Sequence, residues 1–497
     1  MKTLFPLNPR MILFSIFAAA AVCMVYGCSL GPEYQRPDIK VAVPDRYDNA
    51  SGATEPIENR ITGGDRWWLE FGDPEISRIA GEVLKHNWDI RRAAAVVAEF
   101  RAGLIISRSD RFPTTGLDFS AERTHRKVKS QTMGDITIGP SGRVIIGPGQ
   151  TRYTDTTEDF YNLSLPMSYE IDLWGRIARA NEAALADLLA ADENRRAVTH
   201  SVVAETISTY LELEALERRM VLAKQNIDNH TSALKLVEGR YNLGLSDVLA
   251  VRQAKRALAQ AQSELSPLRQ ALGETQQALA VLMGRYPETR PPRIQSEDYF
   301  KRLNPVPPGM PAELLRRRPD ILAAEAALQA ANARIGEAHA ARFPRISLTG
   351  RFGYASSDLD DLLSSRRQSI NYGADLLAPL FNAGRLKAAE NATAARYDRA
   401  VADYAKIVLT AFSEVEGALL RRKELLDKRD RILNLVKEAA ATLEAAEMRY
   451  QRGVSGYLNV LEAQRANYSA RESLVMADLS ILTNRVSLHR ALGGGFN

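Results

Sequence analysis

The chain has 497 residues, which is enough for two or three domains of ordinary size. A content of 25% charged and 45% hydrophobic residues is that of a folded protein and excludes both a disordered chain and one with many apolar membrane helices. The net charge is +5, and no basic cluster is interleaved with aromatic residues, so the sequence gives no support for nucleic-acid binding.

The N-terminus has the organisation of a secretory signal peptide, predicted over residues 1–27. Two basic residues precede the short apolar run Met11–Gly27, and Cys28 follows at once. The sequence VYGC (Val25–Cys28) resembles a bacterial lipobox, in which the cysteine becomes the lipidated first residue of the mature chain. We therefore predict a covalent lipid on Cys28. The alternative is an ordinary signal peptide followed by a chance cysteine.

Most of the remaining chain is a duplication. Asp89–Pro113 matches Asp320–Pro344 without gaps at an offset of 231 residues. Three further matches share an offset of 209 and place Gly175 over Gly384, Gly244 over Gly453, and Gly284 over Gly493. Four matches in register predict a first repeat over residues 76–284, a linker over 285–318 and a second repeat over 319–493. Residues 28–75 and 494–497 lie outside the repeats, as a lipidated N-terminal segment and a C-terminal tail.

The two offsets differ because the first repeat carries 22 extra residues between Pro113 and Gly175. These residues fall within Lys127–Asp159, a stretch rich in glycine, proline and threonine. Such a composition predicts a long surface loop.

Each repeat predicts a β-hairpin, over residues 114–174 in the first and 345–381 in the second. Apolar and polar side chains alternate strictly along residues 161–174 (YNLSLPMSYEIDLW), and they also alternate along Arg345–Tyr354 and Ser369–Leu380. A fourth strand near Thr115–Arg123 alternates less cleanly. The pattern predicts strands with one apolar and one polar face, which either contact lipid or form the face of a soluble sandwich.

Each hairpin leads into a very long helix, predicted over Arg176–Tyr241 and Arg385–Tyr450. Each spans 66 residues without proline, which corresponds to about 100 Å at the rise of an α-helix. Apolar residues recur along both at heptad spacing, which predicts coiled-coil packing. A glycine turn then leads to a second helix, over residues 247–284 or 457–493, and Pro267 should interrupt the first of these.

A sheet of four strands cannot stand alone in lipid, because its edges leave backbone amides unpaired in hydrocarbon. Membrane barrels have at least about eight strands, so four strands per chain require two or three chains. The apolar face of residues 161–174 would then contact lipid, while Asn162, Ser164 and Ser168 would line water.

Several segments together carry a family resemblance. They are CSLGPEYQRP (Cys28–Pro37), DRWWLEFGDPE (Asp65–Glu75), the ARFP and ISLTG pair, LWGR and the two RY-x-x-G turns. Together these segments resemble TolC-like outer membrane factors, most closely the lipoprotein (OprM/NodT-type) efflux subunits. The resemblance spans nearly the whole mature chain. It implies a mainly α protein with membrane β-structure, forming a homotrimer. A twelve-stranded β-barrel in the outer membrane would continue as a twelve-helix α-barrel, with residues 286–318 in an equatorial belt.

The resemblance also implies a function and partners. The protein would be the passive exit duct of a tripartite efflux pump for drugs or other small toxic compounds, with no enzymatic activity and no cofactor besides the lipid on Cys28. It would work with a periplasmic adaptor and an inner-membrane pump, expected to be of the RND type. Two alternatives remain at this point: a duct for type I protein secretion, and a structural coiled-coil lipoprotein of the periplasm.

By the same resemblance, the second turn and the helix after it carry a gate at the periplasmic tip. The stretch RYQRGVSGYLNVLEAQR (Arg449–Arg465) supplies its residues, which are Tyr450, Leu458, Glu462 and Arg465. Leu458 and Glu462 are four residues apart and share a helix face, so three copies would form an apolar ring and an acidic ring. Arg465 could pair with the carboxylate of Glu462. Alternatively, Leu458 packs in a helix seam and the other two form an exposed ion pair worth less than about 1 kcal/mol.

The turns that end the two long helices would form the rim on which the adaptor docks. We expect the contacts to be made by Gly244, Leu245, Gly453 and Val454. Glycine is also required at these turns for a positive φ between helices. Trp67 and Trp68 are expected to anchor the N-terminal segment, and the six histidines show no spacing typical of metal ligands.

Overall fold

The computed structural model of the protein describes residues 30–38, 44–49, 66–131, 134, 136–138, 140–146, 151–288, 303, 306–307 and 309–494. The predicted signal peptide and Cys28 lie outside the described residues, as does much of the predicted linker. The chain divides into two compact units. The first, here called the sheet unit, comprises Met1–Tyr34, Ala102–Leu185 and Ala330–Tyr397, and the second, the helical unit, comprises Gln35–Arg101, Ala186–Gln329 and Asp398–Asn497.

Seven strands are present in the described part of the sheet unit. They are β1 (Thr114–Thr115), β2 (Asp118–Gln131), β3 (Ile136–Ile138), β4 (Val144–Ile146), β5 (Thr151–Ile171), β6 (Arg345–Ser356) and β7 (Gln368–Leu377). The main sheet is antiparallel in the order β1-β5-β6-β7, with β2 also paired to β5, and β3 pairs only with β4.

Strands β1 and β2 lie along the same edge of β5 and form one interrupted strand. Gly116, between them, stands opposite Pro166 and donates its N–H to the Pro166 carbonyl at 3.3 Å. Proline has no N–H to donate in return, so the ladder breaks at this point. The main sheet therefore has four strand positions, two from each repeat, as the duplication predicts.

The register sorts the side chains of the main sheet by polarity. Leu163 pairs with Tyr354 and Leu165 with Phe352, and the same face continues across β6 to Ile370 and Leu376. The opposite face carries polar residues in the alternate positions: Ser120, Asn162, Ser164, Ser347, Asn371 and Asp375. Consequently the sheet has one continuous apolar face and one polar face.

The predicted surface loop over Lys127–Asp159 is wrong at both ends. Strand β2 continues to Gln131, and β5 begins at Thr151 rather than at residue 161. The added pairs form a two-stranded ribbon that is stabilised across the strands by ion pairs, including Arg123–Asp159 at 2.5 Å. Because both faces of the ribbon are polar and exposed, it lacks the alternation that identifies a half-buried strand. The other strand ends lie within three residues of the predicted bounds, and these include the end of the predicted 161–174 strand, which stops at Ile171.

The described helices are α1 (Pro74–His86), α2 (Trp88–Ser109), α3 (Arg176–Asn242), α4 (Val248–Ser263), α5 (Leu265–Leu282), α6 (Pro311–Arg317), α7 (Pro319–Ala340), α8 (Arg385–Gln451) and α9 (Tyr457–Ala491). The two long helices, α3 and α8, have 67 residues each. None of the helices in the described ranges is long and apolar enough to span a membrane.

The interruption expected at Pro267 is present. The first copy of the second helix is divided into α4 and α5 at Glu264, whereas the corresponding α9 runs unbroken for 35 residues. A proline removes one helical hydrogen bond, and its ring clashes with the carbonyl four residues earlier, here that of Ser263. The break thus follows from the covalent structure of the chain.

The heptad pattern corresponds to burial in the helical unit. Tyr404, Val408, Ala411 and Val415 recur at heptad spacing along α8, and all four are buried in one cluster with Leu488 of α9. A second cluster holds Trp67 and Trp68, from a short 3-10 helix over Trp67–Phe71, against residues of α1, α3 and α9. The tryptophans are therefore packing residues, as expected for anchors.

Candidate functional site

The two turns that follow the long helices have the same backbone geometry. Turn A follows α3 at residues 243–247, and turn B follows α8 at residues 452–456. In turn A, Leu245 donates its N–H to the Arg240 carbonyl at 2.8 Å and Gly244 donates to Tyr241 at 2.9 Å. Turn B repeats both bonds with Val454 and Gly453. This is the Schellman motif, which requires a left-handed residue; Gly244 and Gly453 both have φ of 73°.

The turns expose apolar side chains to an unusual degree. Leu245 is 62% exposed and Val454 is 63% exposed. Leu243, Val248 and Leu249 add to the exposed apolar surface of turn A, and the sequence analysis missed all three. The sequence contained a signal, because Leu243 directly precedes the capping glycine Gly244 and Val248 and Leu249 follow it within five residues, which places several apolar residues at one short turn. A contiguous exposed apolar surface is typical of a protein-binding site.

A small core lies beneath the two turns. Tyr450 of α8 and Tyr457 of α9 pack with their ring centroids 5.4 Å apart, against Val237 of α3 and Val251 of α4. Burial, together with the charge of the neighbouring Tyr450, raises the pKa of Tyr457 to about 12. Both hydroxyl groups are buried without a hydrogen-bond partner among the described residues. Tyr450, predicted to be a gate residue, therefore belongs to the core of its own protomer.

The other predicted gate residues share one exposed face of α9. Leu458 is 49% exposed, and Glu462 and Arg465 are exposed as well. The opposite face of the helix, with Val460 and Ala463, is buried in the protomer. The pairing expected between Glu462 and Arg465 is absent from the ion pairs of the described chain. The structure thus places three of the predicted gate residues together on an exposed face, and the fourth, Tyr450, in the small core beneath the turns.

Arg240 of α3 is a further residue beside turn B, and the sequence analysis did not single it out. Its guanidinium carbon lies 5.0 Å from the centroid of the Tyr450 ring. Its Nη1 donates a hydrogen bond to the Gln451 carbonyl at 3.2 Å. No local sequence pattern identifies this contact, because it joins two segments that are 211 residues apart.

Comparison with known proteins identifies the family. The family model described as Outer membrane efflux protein matches residues 79–285 and 310–494, which cover most of both repeats. The chain belongs to the outer membrane efflux protein family. The resemblance found in the sequence is therefore confirmed.

Similar proteins support the assignment along the whole length of this outer membrane efflux protein. The solvent efflux pump outer membrane protein SrpC of Pseudomonas putida is 34% identical over 477 residues, which cover 96% of this chain and 97% of that protein. The cation efflux system protein CusC of Escherichia coli K12 is 31% identical over 470 residues, with 94% and 96% covered. The solved structure of the outer-membrane channel OprN matches with a TM-score of 0.82 at 28% identity, over 94% of this chain and 99% of that chain.

These comparisons establish the class of molecule. This outer membrane efflux protein is a channel of the outer membrane that extends into the periplasm and serves as the outer-membrane component of an efflux pump. It is a conduit and not an enzyme, as predicted.

Proposed function

We propose that three copies of this chain assemble into the passive exit duct of a tripartite efflux pump. The observation that carries the proposal is the main sheet of the sheet unit. One of its faces is continuously apolar, with Ile370 63% exposed. Among the described strands, the outer edge of β2 and the outer edge of β7 have no partner.

An unpaired strand edge is strongly unfavourable in hydrocarbon, because each unsatisfied amide or carbonyl costs several kcal/mol there, on the order of 2–7 kcal/mol. Pairing the β2 edge of one protomer with the β7 edge of the next removes every free edge. With four strand positions in each protomer, a trimer gives a twelve-stranded barrel, an even number within the range of outer-membrane barrels. The choice of three protomers rather than two follows from the family.

The apolar face has the height that a bilayer requires. On β5 it extends from Tyr161 to Ile171, which is the length of a tilted membrane strand, about 9–11 residues. Beyond Tyr161, the charged pair Arg123–Asp159 takes the place of apolar residues on the same face. We place the outer boundary of the hydrocarbon core between these two positions, so the ribbon over 122–131 and 151–160 stands in water on the extracellular side.

The long helices would carry the duct across the periplasm. The long helices α3 and α8, together with shorter helices stacked end to end, would supply four helical passes from each protomer and so the twelve helices of an α-barrel. In that assembly the exposed α9 face of Leu458, Glu462 and Arg465 would converge on the axis as a gate, with Tyr450 behind it. A covalent lipid on Cys28 would add a second membrane anchor.

The rim of the tip would bind the periplasmic adaptor through Gly244, Leu245, Gly453 and Val454. The exposed apolar side chains of both turns support this role. Opening requires that the adaptor binds the dilated state more tightly than the closed one, because a ligand shifts an equilibrium only by its differential affinity. An inner-membrane pump, expected to be of the RND type, would supply small toxic compounds. The names of the relatives, which include solvent and cation efflux proteins, are consistent with such cargo.

The test is reconstitution of the purified full-length protein into planar bilayers, with the mass of the detergent complex measured by light scattering. We expect a trimer that conducts ions in discrete steps and migrates differently in gels with and without heating. A monomer that is electrically silent would contradict the proposal.

A further inference from the structure

The duplication places the same dipeptide at the end of both long helices. Arg240-Tyr241 ends α3, and Arg449-Tyr450 ends α8. Both pairs precede a Schellman glycine with the same φ. The two copies nevertheless differ in environment, since Tyr450 is 6% exposed whereas Tyr241 is 45% exposed.

Only the cross-pair between the copies is formed. The Arg240 guanidinium lies over the Tyr450 ring at 5.0 Å, a geometry in which a cation is attracted to the negative face of the ring. The reverse pair, Arg449 with Tyr241, makes no such contact in the described chain, and Arg449 is exposed. The same dipeptide therefore makes different contacts in the two repeats, and the tertiary structure determines which contact forms.

Arg240 also caps the end of α8. The last carbonyls of a helix have no helical partner, and a cation is favoured at that end of the helix dipole. Arg240 Nη1 meets both needs, because it donates to the carbonyl of Gln451, the last residue of α8. A methyl group added at Gly453 would lie 3.9 Å from the other terminal nitrogen of Arg240, so turn B passes directly beside this side chain.

The Tyr450 side chain is held through its ring and not through its hydroxyl. The hydroxyl oxygen is buried with no hydrogen-bond partner in the part of the chain that the structure describes. The ring meets Arg240, and it also meets Tyr457, the first residue of α9. A chain of contacts therefore runs from α3 through Tyr450 to the start of α9, where Leu458 follows directly.

We propose that Arg240 is a positioning residue of the periplasmic tip. It fixes the end of α8 to the end of α3 within one protomer, and it thereby sets the position of turn B and of the α9 face that carries Leu458 and Glu462. The role in gating rests on the proposed function. The role in holding the two helix ends together does not depend on it.

The experiment compares Arg240→Gln with Arg449→Gln in the full-length protein. The second variant is a matched control, since it removes the same charge at the same position of the other repeat. Hydrogen exchange of the amides in residues 446–456 is measured by mass spectrometry. Loss of a half-buried cation–π contact should accelerate their exchange about five-fold in Arg240→Gln, while Arg449→Gln should match the wild type. Equal exchange in the two variants would overturn the proposal.

Single-channel recording tests the consequence for gating. We expect Arg240→Gln to raise the mean conductance and Arg449→Gln to leave it unchanged. A silent wild-type protein would defeat the proposed function, and the exchange data would still decide the role of Arg240. Equal conductance in an active wild type and Arg240→Gln would overturn the link to the gate.

Two further variants keep the test decisive. If Arg240→Gln fails to assemble, Arg240→Lys is measured, which keeps the charge and a donor but loses the guanidinium that lies over the ring. Its exchange should be faster than that of the wild type. Wild-type exchange in Arg240→Lys would refute the contact between the guanidinium and the ring. Tyr450→Phe, which removes only the unpartnered hydroxyl, should exchange like the wild type, and acceleration in this variant would refute contact through the ring.

Discussion

His489 Nε2 lies 3.3 Å from a carboxylate oxygen of Glu70, and the His489 ring stacks on Trp67 with centroids 4.8 Å apart. Glu70 also contacts Arg485. These residues join the 3-10 helix at Trp67–Phe71 to α9 in the helical unit, so the segment directly before α1 is held by a partly ionic contact.

Acid should weaken this anchor. Burial lowers the pKa of His489, so its imidazole stays neutral in the fold and takes up a proton more readily in the unfolded chain. Burial alone would raise the pKa of Glu70, but the contact with the His489 ring and the charge and hydrogen bond of Arg485 lower it. A lowered pKa in the folded state means that stability is lost as the pH falls. For His489 the loss begins below the ordinary histidine pKa of about 6.5.

The measurement is the thermal midpoint of the wild type and of His489→Gln at pH 7.5, 6.0 and 5.0. We expect the wild type to lose stability over this range and the variant to show a flatter dependence on pH, although with a lower midpoint at pH 7.5 because the Trp67 stack is lost. His86→Gln, which alters an exposed histidine of α1, is the control and should keep the wild-type slope. Parallel pH profiles for all three proteins would contradict the prediction.

The exposed face of α9 predicts the effect of substitutions at the gate. Glu462→Ala and Arg465→Ala should each raise single-channel conductance, because each removes a charged side chain from the proposed constriction. Neither side chain has an ion-pair partner among the described residues of its own protomer, so the free energy of unfolding should change by less than about 0.5 kcal/mol. Glu444→Ala removes an exposed carboxylate from α8 and should leave the conductance unchanged. Unaltered conductance in both gate variants would refute the assignment.

The register of the sheet predicts opposite outcomes for two adjacent residues of β7. Ile370 lies on the apolar face, opposite Phe352, whereas Asn371 lies on the polar face, opposite Arg351. A lysine on the lipid face near the bilayer midplane costs about 2–4 kcal/mol. We expect Ile370→Lys to reduce the amount of heat-modifiable trimer in the outer-membrane fraction, and Asn371→Lys to assemble normally. The reverse order would mean that the two faces are exchanged.

The sequence analysis placed correctly those residues whose polarity or burial repeats at a regular spacing along the chain. Leu163 and Leu165 alternate with polar neighbours because one face of the sheet is apolar, and Val408 and Val415 recur at heptad spacing because one helix face is buried. The break before Pro267 follows from the chemistry of proline alone. In these cases the local sequence pattern is sufficient to predict the local structure.

The features that the sequence analysis missed depend on contacts between distant segments, and such contacts leave no regular spacing of residue types in the sequence. Thr151 and its neighbours form a ribbon whose two faces are both exposed, so nothing imposes alternation. The cross-strand partners in the ribbon are 20 to 38 positions away, from Gln131 with Thr151 to Glu122 with Phe160. Arg240 and Arg449 have the same local sequence, yet only Arg240 packs on a tyrosine. The choice between two copies of one motif is made by tertiary packing, which a single sequence does not display.

The lipid on Cys28 leads to a prediction about anchoring. Cys28→Ser should abolish labelling with radioactive palmitate, because the side chain that would carry the lipid is gone. Trimers should still form in the outer membrane, since the apolar face of the sheet supplies the membrane contact. Labelling that persists in the variant would show that the lipid is attached elsewhere, and loss of trimers would show that the sheet alone does not hold the protein in the membrane.

Arg318 should be the most sensitive charged residue in the helical unit. Its guanidinium is buried and lies 2.6 Å from both Asp320 and Glu414, and it donates to the Ala491 carbonyl at 3.1 Å, so it ties α7, α8 and α9 together. Removing one partner of a buried ion pair leaves charges uncompensated, at a cost of about 3–5 kcal/mol. Because the two carboxylates are partly exposed, solvent reduces the expected loss to about 2–3 kcal/mol for Arg318→Ala.

Chemical denaturation should detect this loss, whereas Arg316→Ala, at an exposed position of α6, should stay within about 0.5 kcal/mol of the wild type. Equal denaturation midpoints for the two variants would show that the Arg318 cluster makes no net contribution to stability.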